Sequence, residues 1–338
     1  MTDALLDVED LKVTFSGRGR PVRAVDGVSY SVYPGQTLAI VGESGSGKTV
    51  SCRAVMGLLP RTAAITGSAA FAGRQLIGLS DEQLRRHRGA DIAMVFQDPS
   101  RSLNPTMRVG SQIAEAVRAH RPVSKPQARE HAVDLLRLVR IPLPERRFEE
   151  YPHQLSGGMR QRVMIAIALA CRPRLLIADE ATTALDVTTQ AQIMELLLEL
   201  QGELGMALML ISHDLALAAS YADEVIVMYA GRIVEQAPAS RLFSRVRMPY
   251  TQALLEAIPR LEHPAHAPLP VIGGRPPDLS ALPPGCSFAP RCRYAADDCR
   301  ATEPPLAEHE PGHRWACWHP VQGGPPAMGP AGEDRGAA

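Results

Sequence analysis

The chain has 338 residues, too many for one small core, which predicts one large domain with an appendage. Hydrophobic residues make up 45% and aromatic residues only 4%, so the core has to be built from aliphatic side chains. Thirty-six basic residues balance 36 acidic ones, and a net charge of zero argues against a nucleic-acid partner, which usually demands a basic excess. No uninterrupted apolar run reaches the length of a membrane span, and Met1 to Lys12 carries acids where a secretion signal would carry bases. The expectation is a cytoplasmic chain that meets a membrane only through partner chains.

Leu6–Val13 and Arg23–Tyr33 read as two strands around a Gly/Arg turn at Gly17–Arg20, and Pro34-Gly35 then turns the chain. Phe15, at the end of the first strand, is placed either to stack on a base or to pack in the core. The apolar run Thr37-Leu38-Ala39-Ile40-Val41 is short enough for a buried strand. It leads into Gly42-Glu43-Ser44-Gly45-Ser46-Gly47-Lys48-Thr49, which fits the phosphate-binding pattern G-x-x-x-x-G-K-[ST] without a mismatch. A helix from Val50 to Leu59 follows, with Pro60 marking its end. Strand, glycine-rich loop and helix together turn the pattern into a nucleotide site, because backbone N–H groups and a helix N-terminus converge on phosphate oxygens. Lys48 is then expected to reach the β- and γ-phosphates and Thr49 to offer its hydroxyl to Mg²⁺.

Gly67–Gly73 and Asp91–Phe96 read as strands, separated by a helix that Ser80 and Gln83 open with capping-box spacing. After Gln97 comes a loop rich in turn residues, Asp98 to Pro105, and then a helical block to Tyr151 with Gln112–Ala119 and Gln127–Val139 as its candidates. Ser156-Gly157-Gly158 opens a further apolar helix, Met159–Ala170. Arg174–Ala178 is a short buried strand that delivers Asp179 and Glu180 at its C-terminal end, where parallel sheets place ligands. One of these acids is suited to hold Mg²⁺ and the other to orient an attacking water. A helix at Thr189–Leu204 and a strand at Ala207–Ile211 bring His213 to the same edge, in reach of a γ-phosphate. Glu224–Tyr229 and Arg232–Glu235 form a hairpin.

These residues resemble the ATP-binding subunits of ABC transporters over about residues 5–240. The resemblance rests on Gly42–Thr49, Gln97, the signature Leu155-Ser156-Gly157-Gly158-Met159, Asp179-Glu180, Ala184-Leu185-Asp186 and His213, in the family's order. Ala181 departs from it, since proline usually follows the glutamate. Gln97-Asp98-Pro99, Ser102-Leu103-Asn104-Pro105, Tyr151-Pro152-His153-Gln154 and Pro249–Leu255 followed by Ile258-Pro259 narrow it to the peptide/nickel importer branch, although Met248 stands where that branch has histidine.

The resemblance implies an α/β phosphate-loop ATPase core with an antiparallel β subdomain and a helical signature lobe, followed by a small irregular metal-cluster domain. Its boundaries would be 1–240 for the ATPase, about 98–170 for the lobe, 241–285 for a connecting helix and linker, 286–320 for the cysteine domain and 321–338 for a disordered tail. It implies that Phe15, Gly42 to Thr49 and Val50 bind ATP, that Thr49, Gln97 and Asp179 serve Mg²⁺, and that Glu180 is the general base. Lys48 and His213 would hold phosphates, and Gln97 would link the metal site to a membrane subunit. Ser156, Gly157 and Gly158 would close over ATP held by a second, paralogous ATPase subunit. Two permease subunits and, indirectly, an extracytoplasmic substrate-binding protein complete the implied machine, with this chain peripheral on the cytoplasmic membrane face. Its cargo would be dipeptides or oligopeptides, with nickel as the alternative. A soluble ABC ATPase unconnected to transport is the alternative of another class; such proteins carry long coiled coils or two ATPase units, and this chain shows neither.

Cys286, Cys292, Cys299 and Cys317 cluster after a segment rich in proline and glycine, whereas Cys52 and Cys171 fall in predicted helices as core residues. A reducing compartment points such a cluster to a metal, but its spacings match neither a zinc knuckle nor a ferredoxin run. The resemblance of Gly285–Cys292 to peptide-importer ATPases implies a [4Fe–4S] cluster, ranked ahead of zinc and, last, unligated thiols; Phe288, Tyr294, Trp315 and Trp318 are neighbouring aromatics placed to shield a cluster. His313 is either a substitute ligand or a surface histidine.

Overall fold

A computed structural model describes residues 3–16, 19–182, 186–258 and 271–322. Part of the first Gly/Arg turn, Ala184-Leu185, Pro259, His263–Pro270 and the tail from residue 323 lie outside the described residues.

The described strands are β1 (Leu6–Phe15), β2 (Val22–Val32), β3 (Thr37–Val41), β4 (Ala63–Phe71), β5 (Arg74–Gln75), β6 (Ile92–Val95), β7 (Leu175–Asp179), β8 (Ala207–Ser212), β9 (Glu224–Tyr229), β10 (Arg232–Pro238), β11 (Ala307–Glu310) and β12 (His313–Trp315). They form a four-stranded sheet in the order β2-β1-β4-β5 and an eight-stranded sheet in the order β11-β12-β10-β9-β3-β8-β7-β6. The small sheet is antiparallel throughout. In the large sheet β6, β7, β8, β3 and β9 run parallel, and β10, β12 and β11 add antiparallel strands at one side.

Every residue of β3, β7 and β8 is buried, because both faces of these strands are covered. Their side chains alternate between two cores, as a period of two requires. Leu38, Ile40, Leu175, Ile177, Met209 and Ile211 pack toward the small sheet. Ala39, Val41, Leu176, Ala178, Leu208 and Leu210 pack toward the helices on the other face.

The helices begin with α1 (Lys48–Val55) after the phosphate loop and α2 (Asp81–His87), where Ser80 and Gln83 form the expected capping box. The helical lobe consists of α3 (Pro99–Ser102), α4 (Val109–His120), α5 (Lys125–Leu138), α6 (Pro144–Phe148) and α7 (Gly157–Ala168). Val109, Ile113 and Val117 repeat every fourth residue on α4, and Ala128, Ala132 and Leu136 do so on α5. All six are buried, and all but Ala128 belong to the helix-side core, so an apolar stripe on each helix explains their packing. Ser124 and Gln127 start α5 with a second capping box.

Then come α8 (Val187–Leu204), α9 (Leu215–Tyr221), α10 (Ala239–Ser244), α11 (Pro249–Glu256) and α12 (Asp297–Ala301). The cysteine region is less irregular than its composition predicts, because β11 and β12 continue the ATPase sheet. Glu235 on β10 pairs with Trp315 on β12, and Ala307 on β11 pairs with Trp315 in turn. Ala316 N–H donates to Val234 O, and Arg232 bridges Asp26 and Glu303. Short strands rich in His, Arg and Glu carry no alternation signal, which is why pattern alone misses them. No described helix is long and apolar enough to cross a membrane.

Candidate nucleotide site and cysteine cavity

β3 ends at Val41, and the chain loops through Gly42–Gly47 into α1. Two glycines are sterically required there. A Cβ on Gly42, whose φ is 149°, would lie 2.2 Å from Met228 O, and one on Gly47, at φ 101°, would lie 2.4 Å from Ala24 O. Both contacts are with backbone, which cannot yield as a flexible side chain could. Lys48 is only 4% exposed, and its Nζ donates to Gly42 O at 2.7 Å and Glu43 O at 3.0 Å. Burial lowers the Lys48 pKa, while the charges of Glu180, Asp179 and Glu43 work against that fall. Ser46 is buried with a hydroxyl that has no partner among the described residues, a polar atom suited to an added phosphate oxygen. Ser44 and Gly45 are exposed, and Val50 is half-buried.

The neighbouring strands bring the acids to the same edge. Thr49 Oγ1 donates to Asp179 Oδ1 at 2.7 Å, and Arg53 lies 3.4 Å from the other carboxylate oxygen. Burial raises the Asp179 pKa; the Thr49 hydrogen bond and the Arg53 charge oppose that rise. Gln97 Nε2 donates to Glu180 Oε2 at 2.8 Å, and His213 Nδ1 is 3.7 Å from that same oxygen. Glu180 is held at φ 48°, in the left-handed region that non-glycine residues rarely occupy. Its N–H is tied to Ile211 O at 2.9 Å, so the β7–β8 pairing sustains the strain. His213 is flanked by Ser212 and Asp214, and Asp214 caps α9 through Ala216 N and Leu217 N.

Phe15 is half-buried at the end of β1 and packs against the core between the sheets, so it remains placed for either of its two expected uses. Ser156 caps α7 by accepting from Met159 N at 3.3 Å. Ser156 and Gly157 are exposed and Gly158 is half-buried, a helix N-terminus turned to solvent.

Three side chains at the loop carry no local sequence signal. Glu43 N–H donates to the Tyr250 hydroxyl at 2.8 Å. Arg291 grips the Glu43 carboxylate from 248 residues away and donates to the Tyr229 hydroxyl at 3.2 Å. Such long-range partners are invisible until the chain is folded.

The four clustered cysteines line one cavity with Met248, Pro249, Phe288 and Pro304. Burial raises the thiols of Cys286, Cys292 and Cys317, the last to about 12, and neighbouring sulfurs add to the rise. Tyr294 and Trp318 also line the cavity. Trp315 does not; it stacks on His309, with ring centroids 4.5 Å apart. His313 is not a surface residue: it is fully buried with Nε2 2.9 Å from Glu235 Oε1, and it is not among the residues that line the cysteine cavity. His319 is the histidine that reaches the cavity. Among the described residues, the one group of three ligand atoms within 4.8 Å of one another is Asp298, Cys299 and His319. Cys52 is a buried residue of α1, as expected, but Cys171 lies past the end of α7 and is half-buried.

Comparison with known proteins places this geometry. The family profile described as ABC transporter matches residues 25–183, and the profile described as oligopeptide/dipeptide transporter, C-terminal region, matches residues 234–299. The chain is 50% identical to the oligopeptide transport ATP-binding protein OppD of Escherichia coli, covering 95% of this chain and 94% of that protein. It is 51% identical to the dipeptide transport ATP-binding protein DppD of the same organism, over 94% of this chain and 97% of that protein. A probable peptide ABC transporter ATP-binding protein of Sinorhizobium fredii, y4tR, is 52% identical over 94% of this chain and 95% of its own length. Among solved structures, the ATP-binding cassette MJ0796, in a dimeric post-hydrolysis state bound to ADP and Pi, superposes with a TM-score of 0.62 at 28% identity. That match covers 69% of this chain and 98% of the cassette. The chain belongs to the ATP-binding proteins of the ABC transporter family, in the branch that carries the oligopeptide/dipeptide transporter C-terminal region.

Proposed function

We propose that this chain hydrolyses ATP to energise the import of oligopeptides or dipeptides through a membrane ABC transporter. The observation that carries the reading is the gathering of Lys48, Thr49–Asp179 and Gln97–Glu180–His213 at the C-terminal edge of the parallel strands. Phosphoryl transfer needs positioning and charge stabilisation more than covalent chemistry, and this edge offers both. The loop Gly42–Thr49 with Val50 cradles the phosphates, Lys48 turns its ammonium from the loop carbonyls to the β- and γ-oxygens, and Phe15 stacks on the base. Glu180 takes the proton of the attacking water, Gln97 holds that carboxylate in place, and His213 binds the γ-phosphate. The oxygens of Thr49 and Asp179, already in contact, fit a hard cation, with Gln97 on the same side. Mg²⁺ bound there supplies charge neutralisation on the phosphates.

Ser156, Gly157 and Gly158 present a solvent-facing helix N-terminus, which suits a contact with ATP on a second, paralogous ATPase subunit. An apolar groove beside Gln97, lined by Leu58, Met94, Phe96, Ala116 and Ile167, suits docking of the two permease subunits from the helical-lobe side. The chain would thus sit peripherally on the cytoplasmic face of the membrane, fed by a substrate-binding protein it never touches. The tail from 286 to 320 is a metal-bearing unit docked on the ATPase domain of residues 1–240, with 241–285 as the connection. Its four sulfurs share one cavity yet are not drawn within 4.8 Å of one another in threes. Four cysteine donors around one cavity suit a [4Fe–4S] cluster, which takes four thiolates, with zinc as the second choice.

Reconstitution with the permease chains and the second ATPase tests the reading. Peptide delivered by the binding protein is expected to raise ATP hydrolysis and to accumulate inside vesicles. Stimulation by Ni²⁺ alone would move the cargo to nickel, and no hydrolysis in the complete assembly would refute the function.

A further inference from the structure

We infer that Arg291 is a positioning residue of the phosphate loop: it neutralises and anchors Glu43, and thereby ties nucleotide affinity to the cysteine-bearing tail. The inference rests on reading Gly42–Thr49 as the nucleotide site.

Glu43 stands at an awkward place for an acid. Its carboxylate belongs to a loop that has to receive phosphates, where an unbalanced negative charge opposes binding. Its backbone is already in use. The carbonyl accepts from Lys48 Nζ at 3.0 Å and from Ser46 N at 3.2 Å, and the N–H donates to the Tyr250 hydroxyl. A shift of Glu43 therefore moves the catalytic lysine with it.

Arg291 answers the charge. Its Nη1 donates to Glu43 Oε2 at 2.6 Å and its Nη2 to Oε1 at 2.9 Å, a two-pronged pairing that fixes orientation as well as charge. The Arg291 side chain is 4% exposed. Nε donates to Gly273 O at 2.9 Å, and the guanidinium lies against the Tyr229 and Phe288 rings. All three nitrogens are thus committed, and the fork cannot swing away. Arg291 closes the one-turn helix Ala289–Arg291, immediately before Cys292. Cys286 and Cys292 on either side of that turn both line the sulfur cavity. The same turn thus serves the tail's cysteines at one side and the loop that holds ATP at the other.

The test uses the full chain with Mg-ATP binding measured by titration calorimetry, and tail docking followed by limited proteolysis. Arg291→Ala is expected to weaken Mg-ATP about tenfold by leaving Glu43 uncompensated. Arg291→Lys keeps the charge but loses the fork, and is expected to fall between wild type and Arg291→Ala. The decisive variant combines Glu43→Gln with Arg291→Ala, which removes the repulsive carboxylate and is expected to restore affinity to within about threefold of wild type. A purely structural arginine would give a double variant as weak as the single one, and that result overturns the inference. So does an Arg291→Ala chain that binds like wild type. Wild type that binds no Mg-ATP, or a Lys48→Ala chain that binds it like wild type, would instead sink the reading of the site itself; with wild type binding and Lys48→Ala not, a failure belongs to the role of Arg291 alone.

Discussion

Replacing Glu180 by glutamine separates binding from chemistry at this site. Gln97 Nε2 donates to Glu180 Oε2 at 2.8 Å, and a glutamine carbonyl keeps an acceptor at that position. The substitution removes no side-chain atom, and glutamine tolerates φ 48° no worse than glutamate does. What disappears is a carboxylate able to take a proton from water. Positioned general bases contribute about 10²- to 10⁴-fold, which corresponds to about 3–5 kcal/mol in the barrier. Binding should move the other way or not at all. The Glu180 charge is the foremost of those that support the Lys48 ammonium, and it also helps raise the Asp179 pKa, so it sits amid the charges that meet the phosphates. Removing one negative charge there relieves repulsion, and Mg-ATP is expected to bind as tightly as before or tighter. The assay is steady-state phosphate release by the reconstituted transporter, beside nucleotide retention by the same preparation. Hydrolysis within about threefold of wild type would refute the assignment of the base.

Two further perturbations address the tail. Cys292→Ser is expected to bleach the brown visible absorbance of anaerobically purified protein, and a colourless wild type that contains zinc would overturn the iron assignment. Glu235→Ala would strip acceptors from Arg247 N at 2.7 Å, Met248 N at 3.3 Å and buried His313 Nε2 at 2.9 Å. Leaving such buried donors unpaired costs on the order of 3–5 kcal/mol, so the tail should become protease-sensitive and the melting temperature should fall; an unchanged melt would show that Glu235 does not hold the tail.

The sequence was most informative where chemistry and chain run together. Thr37–Val41 is apolar throughout because both faces of β3 are covered, and the glycines that follow are dictated by backbone within van der Waals reach. Asp179, Glu180 and His213 could be placed because each ends a buried strand, and parallel strands that lie side by side end together. The same reasoning failed where the partner is remote. Nothing near Arg291 announces Glu43, and nothing near His313 announces Glu235. Of the two readings of His313, ligand or surface, its complete burial removes the second, and the histidine that lines the cysteine cavity is His319. The strands β11 and β12 escaped for a related reason, since pairing to β10 rather than their own composition makes them strands.

The attachment of β12 to β10 has a consequence for how the chain matures. His313 lies 78 residues beyond Glu235, so β10 leaves the ribosome long before its neighbour exists. Through that interval the ATPase sheet presents an open hydrogen-bonding border flanked by Ile233 and Val234, a surface prone to pairing with foreign chains. A nascent or prematurely terminated chain is therefore expected to be sticky in a way the finished molecule is not, and β12 with β11 acts as a built-in seal.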